Sequence, residues 1–189
     1  MTAIALFGTS ADPPTLGHRA LLEGLLAHYP QVATWASDNP LKQHKAPLAV
    51  RTSLLQALVE AIGDPRLSLE QELSSPWAIE TLERAQRRWP EHEPVFVVGS
   101  DLVGQIPGWR QADRLLQNQR LAIAPRRGWP LQQADLERLR EMGARLELLP
   151  LEVPASASSR IRQQADPALV PQELLPLLLE HNHYGFPPP

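Results

Sequence analysis

The sequence contains no cysteine. That excludes a disulfide framework, a thiolate zinc site and a cysteine nucleophile, and it fits a reducing compartment. Nor is there an excess of positive charge, the formal net charge being -3 at pH 7. Such a chain has no general attraction for nucleic acid or an anionic membrane, so any polyanion it binds must be met by local donors. Residues 1–8 carry neither a basic n-region nor a long apolar run, so no signal peptide or membrane span is readable. The expected location is cytoplasmic, with neither nucleic acid nor membrane as partner; the oligomeric state is not legible. Internal repeats, low-complexity blocks and long charge runs are also missing, and the twenty prolines fall mostly where the periodicity changes. With 189 residues, 43% of them hydrophobic, one domain spanning 1–189 is the simplest expectation.

What is present alternates between short apolar runs and amphipathic stretches. "AIALFG" (3–8) reads as a buried strand, and "LGHRALLEGLLAHY" repeats leucine and alanine at helical spacing. "QVATWAS" is a second strand, and "PLAVRTSLLQALVEAIG" a helix with Pro47 near its start and Gly63 as its stop. "RLSLEQEL" is a third strand candidate. In "SSPWAIETLERAQRRW" Ser75 is expected to cap and Pro76 to take the first helical position. "PVFVVGS" and "RLAIAP" are further strands around the helical "WRQADRLLQN", and "LQQADLERLREMG" leads into "RLELLP". A helical segment is expected over about 158–183. The pattern is βαβα, which predicts an α/β Rossmann-like fold: a doubly wound parallel sheet with flanking helices and ligands outside the carboxyl ends of its strands.

"FGTSADPPTLGH" (7–18) stands at the first such end. Gly8 permits close backbone approach, and the following helix offers free amides to an anion, as a phosphate site requires. The stretch is neither GxGxxG nor GxxxxGK[ST], so the two commonest nucleotide loops are excluded.

"TLGH" (15–18) resembles the HxGH or TxGH signature of a nucleotidyltransferase superfamily. "GTSADPPTLGH" is similar to the GGTFDPxHxGH motif of bacterial nicotinate-mononucleotide adenylyltransferases, and "SSRIR" (158–162) to the end of their SSTxIR motif. Between them, "HK" (44–45) resembles their PPHK loop and "WAIETL" (77–82) their YTxDTL. "VVGSDLVGQIPGWRQADRLL" resembles their GxDxxxxxxxWxxxxxLL region, and "APRRG" their xxRPG. The pieces keep family order from residue 4 to "VPQELLPLLLEHNHY", covering nearly the whole chain. Departures are Thr9 for the second glycine, Ala11 for an aromatic, Thr15 for the first histidine, Ala78 for a threonine, Ala157 for a serine, and "KQHK" without the family's prolines.

The resemblance implies transfer of the adenylyl group of ATP to nicotinate mononucleotide, giving nicotinate adenine dinucleotide and pyrophosphate. Because the substrate supplies the nucleophile, the enzyme has only to align two polyanions and stabilise charge. On this reading His18, Lys45 and Arg162 are the catalytic residues. ATP is met by Gly8, Thr9, Ser10, Thr15, Gly17, His18, Gly99, Asp101, Ser158, Ser159 and Arg162, and the pyridine mononucleotide by Ser10, Lys45, Trp77, Trp109 and Arg126. Asp101 suits a ribose hydroxyl and equally the N-cap of the next helix. Trp35 and Trp89 are expected in the core. Mg²⁺ is expected with ATP, held by phosphates and water rather than by dedicated protein ligands.

Two alternatives stay open. The acceptor could be another phosphate ester, such as nicotinamide mononucleotide or phosphopantetheine. The changes at Thr9, Ala11, Thr15 and Ala157 also suit a nucleotide-binding regulator that has lost turnover. His181 and His183, in "EHNHYG", read as a solvated terminal segment rather than a metal site.

Overall fold

A computed structural model describes residues 1–39, 42–151 and 158–188. Six parallel strands form its sheet: β1 (Thr2–Thr9), β2 (Gln31–Ala36), β3 (Leu67–Leu69), β4 (His92–Gly99), β5 (Arg120–Ala124) and β6 (Arg145–Leu148). They lie in the order β3-β2-β1-β4-β5-β6. The chain winds outward from β1 in one direction and from β4 in the other, so these two neighbours form the topological switch point where doubly wound sheets bind ligands.

Strand side chains alternate between two cores. Ala5 and Phe7 of β1 and Val95 and Val97 of β4 face one, while Ile4, Leu6, Phe96 and Val98 face the other. Because both faces are covered, the strands read as apolar runs rather than alternating ones. Helices α1 (Leu16–His28) and α2 (Leu48–Ile62) close the first face through Leu22, Leu25, Leu54, Leu55 and Leu58. The second is closed by α3 (Ala78–Arg88), α4 (Ala112–Leu116) and α5 (Gln133–Glu141), with Leu82, Leu115 and Leu139. Trp35 is buried in the second core and Trp89 packs against it. Gly63 ends α2 in the left-handed region at φ 68°, as expected of a glycine stop.

Four details differ from expectation. First, α3 begins at Ala78 with Trp77 as N-cap; Ser75 still serves the helix start, its Oγ accepting from Trp77 N–H at 3.2 Å and donating to Glu80 at 2.6 Å. Second, the third strand is only Leu67–Leu69, because the chain turns into a 3₁₀ segment, Gln71–Leu73, that buries Leu73. Third, Asp101 caps no helix: the chain enters a 3₁₀ segment, Val103–Gly108, through Leu102, and the Asp101 carboxylate pairs with Arg126 instead. Fourth, the C-terminal segment is not simply solvated. After α6 (Ser158–Gln163) and α7 (Leu175–His181), His181 is exposed, but Tyr184 and Phe186 are buried in the first core. Among the described residues no helix is long and apolar enough to cross a membrane.

Candidate active site

Gly8 and Thr9 end β1, and Gly99 ends the adjacent β4. The glycine at 8 is required by packing, since a Cβ there would lie 2.6 Å from the Trp35 indole. A cavity of about 780 Å³ opens at these strand ends and is lined by Gly8, Thr9, Ser10, Gly17 and His18 from the first loop and α1.

Thr15 is the N-cap of α1 and His18 its third helical residue, forming a reciprocal cap with imidazole in place of the usual carboxylate or amide. Thr15 N–H lies 3.1 Å from His18 Nδ1. A backbone N–H can only donate, so Nδ1 is an acceptor and the ring proton sits on Nε2. The Thr15 hydroxyl also lies 2.9 Å from Nδ1, and Nε2–H reaches Thr9 Oγ1 at 2.8 Å. The wall around the ring and the nearby Arg126 charge push the His18 pKa down to about 4, enclosure being the larger cause. His18 is therefore a neutral hydrogen-bond donor, and the Thr15 hydroxyl, buried at the cavity wall, backs it.

Beneath the loop lies a buried polar network. Asp12 is 1% exposed and accepts from Lys45 N–H at 2.8 Å, Ala46 N–H at 3.1 Å and Tyr184 O–H at 2.7 Å. Burial and this carboxylate hold the Tyr184 phenol above its usual range. Arg51, equally buried, donates to the carbonyls of Ser10 at 2.7 Å, Ser37 at 2.8 Å and Ala46 at 3.2 Å. Sequence reasoning missed this network. One signal was available: Arg51 occupies the same helical stripe as Leu54, Leu55 and Leu58, where a charge demands buried partners.

The late motif closes over the first loop. Arg162 lines the cavity and donates to Asp12 O at 2.9 Å, while Ser158 Oγ donates to Pro13 O at 2.9 Å, with Ser159 beside it on the lining. Ala157 lies outside the described residues. Lys45 is placed differently from the others: its Nζ donates to Arg162 O at 3.0 Å, and it is Lys42 and His44 of the same loop that line the cavity.

At the other side Arg126 Nη1 pairs with Asp101 Oδ2 at 3.0 Å. Ser100 ties the Arg126–Trp129 turn to the end of β4, accepting from Arg126 N–H at 3.0 Å and donating to Trp129 O at 2.8 Å. Trp77 and Trp109 both line the cavity, Trp109 set edge-on to Phe96 at 6.4 Å. Arg110 and Trp129, not singled out in the sequence, line it as well.

Among the described residues no group of three or more His, Cys, Asp or Glu side chains is placed to hold a metal ion. Asp12 and Asp101 are the lining carboxylates, and both are already engaged. This donor set does not fit a protein-ligated resident ion.

The Cytidylyltransferase-like family profile matches residues 6–164. The "Probable nicotinate-nucleotide adenylyltransferase" of Synechocystis sp. is 39% identical over 196 aligned positions, covering 96% of this chain and 98% of its own. The chain belongs to the nicotinate-nucleotide adenylyltransferase family. A relative of the same name from Thermus thermophilus is 31% identical over 70% of this chain and 74% of its own. Among solved structures, the nicotinic acid mononucleotide adenylyltransferase of Plasmodium falciparum complexed with NaAD superposes with a TM-score of 0.79 over 99% of both chains. At 16% identity that likeness shows the fold. The family's members are nucleotidyltransferases, and this chain is one.

Proposed function

We propose that the protein transfers the adenylyl group of ATP to the 5′-phosphate of nicotinate mononucleotide. The observation that carries this is the union, in one cavity of about 780 Å³, of an anion-binding helix start with His18 and Arg162 and an aromatic wall with Trp77 and Trp109. A cavity of this order suits ligands of nucleotide size.

ATP lies with its phosphates against Gly8, Thr9, Ser10, Gly17 and the first turn of α1, and its ribose on Asp101 beside Gly99. The α1 amides and His18 Nε2–H, released from Thr9, point to the phosphates; Arg162 adds charge from the other side with Ser158 and Ser159. Thr15 positions His18, and Lys45 braces α6 through the Arg162 carbonyl. The pyridine ring lies on Trp109 near Trp77, with Arg126 held by Asp101 at the junction of the two ligands. A mononucleotide phosphate oxygen attacks the α-phosphorus in line as the bond to the bridging oxygen breaks, and pyrophosphate departs with that electron pair. The attacking oxygen is already anionic, so no side chain has to remove a proton. Mg²⁺ bound to the phosphates of ATP would offset their charge, and no side chain of the cavity would have to hold it. In this reading 1–189 acts as a single domain, in the cytoplasm.

The test is pyrophosphate release by the purified protein with Mg²⁺ and ATP, comparing nicotinate mononucleotide, nicotinamide mononucleotide and no acceptor. Release that requires the nicotinate form is expected. Release favouring the amide corrects the acceptor, and none with either, in folded protein that binds ATP, overturns the proposal.

A further inference from the structure

Arg110, Arg126 and Arg162 line the cavity. Two of them have one nitrogen, Nη1, already bonded within the protein: Arg126 to the Asp101 carboxylate at 3.0 Å and Arg162 to the Asp12 carbonyl at 2.9 Å. Arg110 is different. Its guanidinium lies over the Trp77 ring, 4.9 Å from the centroid, and among the described residues no acceptor is bonded to its N–H groups.

Stacking on an indole occupies the face of a guanidinium and leaves its in-plane N–H donors free. It also restrains a long side chain before any ligand arrives, so less rotamer entropy is lost on binding. Arg110 directly follows Trp109, and Trp77 precedes the position where Ala78 provides no side-chain hydroxyl. At this end of the cavity, then, an aromatic slot is paired with a planar, uncommitted, permanently charged donor.

We infer that Arg110, stacked on Trp77, selects the acceptor's ring substituent, favouring a carboxylate over a carboxamide. This rests on the acceptor reading above and names the side chain that decides it. A ring carboxylate offers two acceptor oxygens and a negative charge to the fork. A carboxamide offers one oxygen, and its NH₂ group turned to the guanidinium would set donor against donor.

The experiment measures kcat/KM for nicotinate and nicotinamide mononucleotide with wild type, Arg110→Gln, Arg110→Lys and Trp77→Leu, together with the KM for ATP. Loss of one charge-assisted pair predicts that Arg110→Gln lowers kcat/KM for the nicotinate form about ten- to a hundredfold. The amide form, which loses at most one neutral acceptor, falls by a smaller factor, so the ratio of the two acceptors drops, and the KM for ATP stays constant. Arg110→Lys retains part of the preference, and Trp77→Leu, which removes the platform, shifts the ratio the same way. Arg110 is exposed, so its variants are expected to melt close to wild type. An Arg110→Gln enzyme with an unchanged ratio of the two acceptors overturns the inference while leaving the adenylyl-transfer reading intact. A wild type that uses neither pyridine nucleotide overturns that reading and this inference with it.

Discussion

His18 carries the densest information of any single residue in the cavity. Its Nδ1 accepts from Thr15 and its Nε2–H is directed at Thr9, so a phosphate has only to replace one hydroxyl to receive a preset donor. His18→Ala is expected to lower turnover by about a hundredfold or more while the circular dichroism spectrum is retained. The pKa of about 4 also makes a stability statement. Above pH 6.5, the ordinary value, folded and unfolded chains both hold the ring neutral. As pH falls, the unfolded chain binds the proton first, so stability is lost progressively until the folded ring titrates near 4. The loss is about 3 kcal/mol at 1.36 kcal/mol per unit, and denaturation midpoints of wild type should fall relative to His18→Gln across that window. Gly8 makes a steric demand instead: with Trp35 at 2.6 Å from a built Cβ, Gly8→Ala is expected to destabilise by about 1–3 kcal/mol in urea unfolding.

At the scale of elements, the site is held together by contacts far apart in sequence. Asp12 joins the first loop, the loop before α2 and the C-terminal segment through Lys45, Ala46 and Tyr184. Arg51 of α2 secures the carbonyls on either side of the same junction. Tyr184→Phe removes one bond to a buried carboxylate and is expected to cost about 1.5–3 kcal/mol. The same change in an Asp12→Asn background should cost measurably less, since the partner charge is gone; equal costs in both backgrounds would dismiss the coupling. Helix α6 rests on the first loop through Ser158 and Arg162, so loosening of Asp12 should also raise the KM for ATP.

At the scale of the molecule, the strand order brings the carboxyl ends of β1 and β4 side by side, and the loops that follow converge on one cavity. The overall charge is -3, yet Lys42, Arg110, Arg126 and Arg162 all line that cavity, so attraction for phosphates is local. Removing residues 182–188 strips Tyr184 and Phe186 from the first core. Such a truncation is expected to cost at least about 3 kcal/mol by loss of two buried aromatics, and it should weaken ATP binding because Asp12 loses its phenol partner. A truncated chain melting with wild type would show that the segment contributes nothing to the core.

The alternation of apolar runs and helical stretches, together with Gly63 and the first loop, was enough to specify a doubly wound α/β sheet and the edge at which it binds. These are local signals, periodicity and turn chemistry, that each segment states by itself. The ordered motifs likewise placed Thr9, His18, Trp77, Trp109, Arg126 and Arg162, which the fold brings to one cavity. Only the tertiary structure decided which polar groups face the cavity and which support it. Thr15 reads as a phosphate ligand and is bonded to His18 at the cavity wall, Asp101 as a ribose ligand or a cap and is paired with Arg126, and Lys45 as a cation for the mononucleotide phosphate and is bonded to Arg162. A side chain's partner is set by whichever donor or acceptor the fold carries to within about 3 Å of it. For Asp12 and Tyr184 that neighbour lies at the other end of the chain, and no spacing in the sequence records it.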